Sequence, residues 1–266
     1  MLTSFNRFCG IAKLKSVALT PLIFTVKSDN TGTSNDNQFT IPAVNAGGGT
    51  YSYTTDDTVS GSGLSGATTI TFPSEAGTYV VSITSDDNVP FKPFFFNGGG
   101  DRSKMTIISQ WGTSVKWDDF ENAFHSCGSM QVSATDAPDL TNSTSCKNGF
   151  YGCTTLNNYP MTVAAWMFAA NTSLWEMFRY TSYAVDFDLQ GLDQWDYTKF
   201  STLHGFFLTA KLVTANYDAM LLKIYADGIT GITINMGTST FTDAGAVQTA
   251  HIWVAANNTL ADGGAA

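Results

Sequence analysis

Phenylalanine recurs in the second half of this chain at positions 124, 150, 178 and 207, at spacings of 26, 28 and 29 residues. The same neighbours surround each one. Four residues before stand Phe120, Cys146, Leu174 and Leu203; three after stand Cys127, Cys153, Thr181 and Ala210; six after stand Met130, Leu156, Ala184 and Val213. A pattern returning at this period constrains the fold strongly, because each unit offers a narrow apolar stripe that only a neighbouring unit can bury. Offsets of −4, 0 and +3 share one face of an α-helix, so the spacing predicts a strand and a short helix per unit, with the four Phe rings as a buried ladder. Trp166 and Trp195 lie twelve residues before the third and fourth Phe, and Trp111 falls one place off that register.

Upstream the grammar is different. Short apolar runs at 22–27, 38–41, 50–54, 68–72 and 78–84 alternate with turn clusters such as Asp29-Asn30 and Gly61-Ser62-Gly63, which predicts a small β-sandwich. Gly98-Gly99-Gly100-Asp101-Arg102 lacks the Lys-Ser/Thr of a phosphate loop and is read as an interdomain hinge. After the repeats, 215–226 predicts a closing helix, 232–236 a strand and 244–256 a last helix, together a cap for the array. The expected organisation is therefore an N-terminal arm (1–20), a sandwich (21–97), a repeat array (103–213) and an α/β cap (214–266), of class α+β.

Two sets of residues carry a resemblance. Phe24-Thr25-Val26-Lys27-Ser28-Asp29-Asn30, Asn37-Gln38-Phe39-Thr40-Ile41-Pro42 and Ala76-Gly77-Thr78-Tyr79 resemble the leading domain of BspA-type leucine-rich-repeat proteins, itself similar to polycystic-kidney-disease-type (PKD-like) sandwiches. Ala123-Phe124-His125-Ser126-Cys127, Gly149-Phe150-Tyr151-Gly152-Cys153 and the run 210–222 resemble the repeats and closing segment of the same family. Thr54-Thr55-Asp56-Asp57 stands where family members carry a Trp-Gly-Asp-Gly turn. The resemblance implies a leucine-rich-repeat solenoid behind an Ig-like or PKD-like sandwich. Since the family comprises bacterial surface proteins and phage proteins, it also implies a non-enzymatic virion protein, a phage structural component acting in adhesion or receptor binding at the virion surface. Its implied partners are other virion proteins or a host-surface glycan or protein, in a homo-oligomer. A secreted bacterial cell-surface adhesin is the alternative, and a carbohydrate-active enzyme a second.

Composition narrows the partners. Only 13% of residues are charged, about half the usual share, and the net charge of −9 opposes a phosphate backbone, so nucleic acid is not expected. The apolar run at 17–26 imitates a secretory signal after Arg7, Lys13 and Lys15, but it contains Pro21, lacks a small-residue exit and continues into the first strand. That favours a protein reaching the outside in a particle assembled in the cytoplasm. No stretch approaches the roughly 18 apolar residues of a spanning helix, so membrane insertion is not expected.

Catalytic and metal chemistry has weak support. His125, His204 and His251 join no serine or carboxylate in a triad pattern, and the four cysteines show no zinc-ligand spacing. No cofactor, metal or catalytic residue is therefore expected. Cys127 and Cys153 occupy equivalent positions one repeat apart, open either to a disulfide or to two small buried side chains. Asp186 and Asp188, with Asp193 and Asp196, fit a glycosidase pair or calcium ligands, and equally a solvated strand. The candidate binding residues are Trp175, Arg179, Tyr180 and Tyr183, an aromatic and cationic cluster off the buried stripe of the third unit.

Overall fold

The computed structural model describes residues 19–44, 48–73, 75–158, 160–181 and 186–266. Among them the fold is mixed α/β, mostly short strands with two α-helices. The first part contains β1 (Leu22–Lys27), β2 (Gln38–Ile41), β3 (Tyr51–Thr55), β4 (Ser60–Leu64), β5 (Thr68–Thr71) and β6 (Thr78–Ser85), followed by β7 (Met105–Gln110) and β8 (Gln131–Val132). One sheet runs β4-β3-β6-β1-β7-β8, while β2 and β5 form a separate antiparallel pair. Alternation decides the facing: Leu22, Phe24 and Val26 of β1 are buried, and Phe39, Ile41 and Ile70 meet them from the small pair. Phe24 lies 5.8 Å from Phe39, and Phe72 stacks on Tyr79 at 3.8 Å. Strand β4 was not foreseen. Its Ser60-Gly61-Ser62-Gly63-Leu64 has no apolar alternation, and it persists as an edge strand paired to β3 alone.

The boundary expected at the three glycines does not separate two cores. Strand β7, beyond them, pairs antiparallel with β1 at the centre of the sheet, and β8 adds to β7 in parallel. Asn97 and Gly98, at φ 47° and 74°, form a tight turn closed by Gly99 N–H donating to the Phe96 carbonyl at 2.8 Å. Asp101, 1% exposed, accepts from the backbone N–H of Thr33 (2.8 Å), Ser34 (3.0 Å) and Thr40 (2.7 Å) and from the Ser34 hydroxyl (2.7 Å). The fully buried Lys104 ammonium donates to the carbonyls of Ser34, Asn35 and Gln38 at 2.8–3.0 Å. The expected hinge is therefore a clamp on the loop before β2. Sequence inspection missed it because a glycine run signals a special backbone without saying whether side chains beside it are anchored.

Beyond β8 the strands are two or three residues long and pair in parallel about one repeat length apart. β9 (Asp139–Leu140) pairs with β11 (Met167–Phe168), β10 (Met161–Thr162) with β13 (Leu189–Gln190), and β12 (Thr172–Ser173) with β14 (Phe200–Thr202). Helix α1 (Thr214–Ala226) precedes β15 (Thr233–Asn235), and α2 (Gly245–Asn257) precedes β16 (Thr259–Ala261), which pairs with β15. α1, β15 and α2 lie within a residue or so of the expected elements, whereas β16 was not foreseen.

Among the described residues the α-helices expected inside the repeats are absent, and turns take their place. In the first two units, N–H groups close turns onto carbonyls three residues back, Ala123 to Phe120, Cys127 to Phe124, Gly149 to Cys146 and Cys153 to Phe150. The residues at −2 and +2 from each Phe have positive φ: Asn122 and Ser126, Asn148 and Gly152, Glu176 and Tyr180, Gly205 and Thr209. A left-handed residue twice per unit forbids an α-helix and gives two successive β-turns. Such turns repeat their orientation every four residues, so their inward side chains imitate a helical stripe.

Turns leave alternate backbone N–H groups free to reach the next unit. Phe120, Asn122, Phe124 and Ser126 donate to Ser145, Lys147, Gly149 and Tyr151; Cys146, Asn148, Phe150 and Gly152 donate to Ser173, Trp175, Met177 and Arg179. Leu174, Glu176, Phe178 and Tyr180 continue to Thr202, His204, Phe206 and Leu208. This register stacks the rings: Phe124 on Phe150 at 5.4 Å, Phe150 on Phe178 at 5.3 Å and Phe178 on Phe207 at 5.4 Å, within 12° of parallel and all fully buried. The expected ladder is present. Phe94 joins it to the sheets, 5.0 Å from Phe24 and 5.2 Å from Phe124, in one continuous core.

Phe150→Ala removes a ring stacked on both faces and is expected to cost about 3–5 kcal/mol, read as a lower urea midpoint at unchanged slope. Burial pushes the Asp101 pKa up, but hydrogen bonds from Ser34 and Thr40 and the Lys104 charge outweigh it and hold the carboxyl below its ordinary value. A depressed folded pKa gives stability that is present above the unfolded pKa and lost as pH falls through the folded one. Asp101→Asn is thus expected to lower stability by about 2–3 kcal/mol at neutral pH, with the gap to wild type closing below about pH 4 in urea melts.

Candidate functional site

The turn ladder sets surface side chains in columns. Position −3 holds Glu121, Lys147, Trp175 and His204, and position +1 holds His125, Tyr151, Arg179 and Leu208. Within the first column the Lys147 ammonium lies 5.7 Å over the Trp175 ring, and Trp175 lies 4.5 Å from His204. Along the second, His125 meets Tyr151 at 4.6 Å, Tyr151 meets Tyr180 at 5.3 Å, and the Arg179 guanidinium sits 4.8 Å from the Tyr180 ring and 5.7 Å from Tyr151. Trp175 is 42% exposed, and the others are half-buried.

Of the residues singled out from sequence, Trp175, Arg179 and Tyr180 lie on this surface, and Tyr183 lies outside the described residues. Arg179 is held by Glu176 at 2.6 Å and donates to the Tyr180 hydroxyl at 3.2 Å, which fixes its guanidinium plane. Lys147, Tyr151 and His204 were missed. The signal for them was already in the repeat: each stands at −3 or +1 from a ladder Phe, where a neighbouring unit places Trp175 or Arg179. His125 is pushed to a lower pKa by burial and then by the Arg102 charge, which disfavours its charged form.

Residues other than glycine and asparagine stand at left-handed positions in the second half of the stack, two of them in the third unit and Thr209 in the fourth. The first two units fill three of their four left-handed positions with Asn122, Asn148 and Gly152, types that tolerate positive φ at little cost, and the fourth with Ser126. The third places Glu176 at φ 53° and Tyr180 at φ 59°, both with side chains engaged with Arg179. Strain of this kind persists where surrounding structure over-determines it, and here it coincides with the most aromatic part of the surface.

Other candidate chemistries disperse. Asp186 pairs with Lys211 at 3.0 Å, Asp188 accepts from Asn216 at 2.8 Å, Asp193 accepts from Gln194 at 2.7 Å, and Asp196 caps a short turn by accepting from Thr198 N–H at 3.1 Å. The four carboxylates thus have separate local partners. Among the described residues no group of three or more His, Cys, Asp or Glu is placed to hold a metal ion, and no helix is long and apolar enough to cross a membrane. Cys127 and Cys153 are free, fully buried thiols, with Cys153 Sγ donating to the Phe124 carbonyl at 3.1 Å. Burial pushes both thiols up in pKa, which keeps them unreactive. A cavity of about 520 Å³ opens beside Trp166, Met167 and Phe168, where the Asp196 carboxylate is already engaged by Thr198.

In comparisons with known proteins, no family model, no curated protein and no solved structure matches this chain.

Thr209 is the fourth unit's counterpart of Tyr180, exposed and β-branched at φ 61°. Thr209→Gly relieves a left-handed conformation without disturbing the columns and is expected to add about 1 kcal/mol of stability, measured by equilibrium unfolding.

Proposed function

We propose that the chain is a non-enzymatic recognition protein that binds a glycan-bearing surface through the columns containing Lys147, Trp175, His204, Tyr151 and Arg179, with Tyr180 beside them. The observation carrying this reading is the register itself, since the ladder fixes aromatic and cationic groups in rows advancing with the rings, at 5.3–5.4 Å per unit. That advance is close to one pyranose per link in an extended glycan. Flat aromatic faces stack on sugar C–H surfaces, and a guanidinium or indole beside them donates to hydroxyls. Locally engaged carboxylates favour binding over hydrolysis, which needs one raised-pKa acid opposite a second carboxylate.

In this proposal the first part is a PKD-like sandwich, the stacked units are a short BspA-type repeat solenoid, and α1, α2 and their strands form its cap. The setting is a virion-associated attachment component, supported by the resemblance to phage members of that family and by a weakly charged surface. Many copies on one particle would raise a weak single-site affinity by avidity.

The test is a glycan-array and host-cell binding screen of the protein displayed multivalently. Trp175→Ala and Tyr151→Ala are each expected to weaken the strongest signal about tenfold or more, a loss of hot-spot size. Binding unchanged in both variants, or hydrolysis of the captured glycan, would overturn the assignment.

A further inference from the structure

We infer that Lys92 and Asp119 become joined by an intramolecular isopeptide bond, which the folded chain forms by itself with loss of one water. Of the Lys–Asp ion pairs among the described residues, Lys27 with Asp29 and Lys211 with Asp186 have both side chains more than a third exposed, and Lys223 with Asp227 spans one helical turn. Lys92 differs. Its side chain is 9% exposed, and its ammonium reaches Asp119 Oδ2 at 2.6 Å from a segment 27 residues away in sequence. The backbone holds it there, because Lys92 N–H and C=O both bond to Val44, at 3.1 and 2.9 Å, and the preceding Phe91 bridges to Trp117.

The polar groups around the pair suit an amide better than two charges. An ammonium has three protons to place; here one goes to Asp119 Oδ2 and one to the Glu121 carbonyl at 3.2 Å, while the cation lies 4.6 Å from the Phe95 ring centre. The Glu121 N–H donates to the other carboxylate oxygen, Oδ1, at 2.9 Å. Among the described residues Oδ2 has no donor but Lys92. Joining Nζ to Cγ keeps Oδ1 as an amide oxygen on the Glu121 N–H and leaves one N–H facing the Glu121 carbonyl. A single peptide unit thus satisfies both polar groups of the product, and the cost of holding a buried ammonium disappears.

The step balances without a further reactant. The ammonium passes one proton to Oδ2, and the neutral amine, held against the carboxyl by the fold, attacks Cγ. The Glu121 N–H holds the charge that develops on Oδ1. The C–Oδ2 bond then breaks, and Oδ2 leaves as water with a second proton from the nitrogen. Asp118 stands beside the pair as a carrier for that proton. Its Oδ1 is buried without a donor, and burial pushes its pKa up against the Lys92 charge, with the Asp119 charge adding to the rise.

The test is intact-mass spectrometry of the folded chain, followed by proteolysis and fragment sequencing. The wild type is expected to be lighter than its sequence by one water, with a branched peptide joining the Lys92 and Asp119 segments. Lys92→Arg keeps the cation but removes the nucleophile, and is expected to show its full sequence mass with circular dichroism unchanged. Asp119→Asn is expected to reach the wild-type product by losing ammonia in place of water. In a time course of freshly synthesised chain, Asp118→Asn is expected to slow bond formation about a hundredfold. Peptide mapping of the wild type needs no variant, so it decides alone where a variant fails to fold. A wild-type chain of full sequence mass, or a water loss that persists in Lys92→Arg or maps to other residues, would overturn the inference; an unslowed Asp118→Asn would overturn the role given to Asp118.

Discussion

The transfer of alternate backbone N–H groups from each turn pair to the next is the interaction on which the rest of the structure depends. Buried peptide groups must find partners, and a turn pair satisfies only some of its own. Stacking supplies the remainder. Once Phe124, Gly149 and their counterparts are joined this way, ring stacking, the cysteine and small-residue positions behind it and the surface columns in front of it all follow. The differing unit lengths of 26, 28 and 29 residues are accommodated in the connecting segments, because the register is keyed to the short turn pair.

That constraint also explains which residues could vary. Inward positions hold large apolar groups, and the left-handed positions favour Asn and Gly. Positions −3 and +1 are bound by neither requirement, and there the chain carries Lys147, Trp175, His204, His125, Tyr151 and Arg179. The third unit departs furthest by placing Glu176 and Tyr180 where glycine or asparagine would be comfortable. Their side chains hold Arg179 on either side, so the less favourable backbone is coupled to one fixed guanidinium.

Much of the fold was legible in the sequence, and the errors share one physical origin. Alternation located β1, β2, β3, β5 and β6 within a residue or two, since one face of each is buried and the other is not. The Phe period located the ladder for the same reason. Hydrophobic periodicity reports only which side chains face inward, and consecutive turns and a short helix share the −4, 0, +3 pattern, so the backbone between those positions was misread. The glycine run misled similarly, because the anchoring of Asp101 and Lys104 depends on the loop at 33–40, far away in sequence. At the surface, Trp175 drew attention as an unusual residue, whereas Lys147 and Tyr151 became visible only once the columns were drawn across units.

Continuity between sheets and ladder bears on the recognition role proposed above. With β7 shared, Phe94 touching both Phe24 and Phe124, and Asp101 and Lys104 closing the junction, the sheets and the first unit form one packed body. A binding surface built on such a body has little conformational freedom left to lose on meeting its ligand, which favours affinity from modest contacts. The same rigidity limits adaptation. On the proposed reading, a ladder that fixes Trp175 between Lys147 and His204 would select ligands matching its spacing, and specificity would reside in the repeat register as much as in the identity of any one exposed side chain.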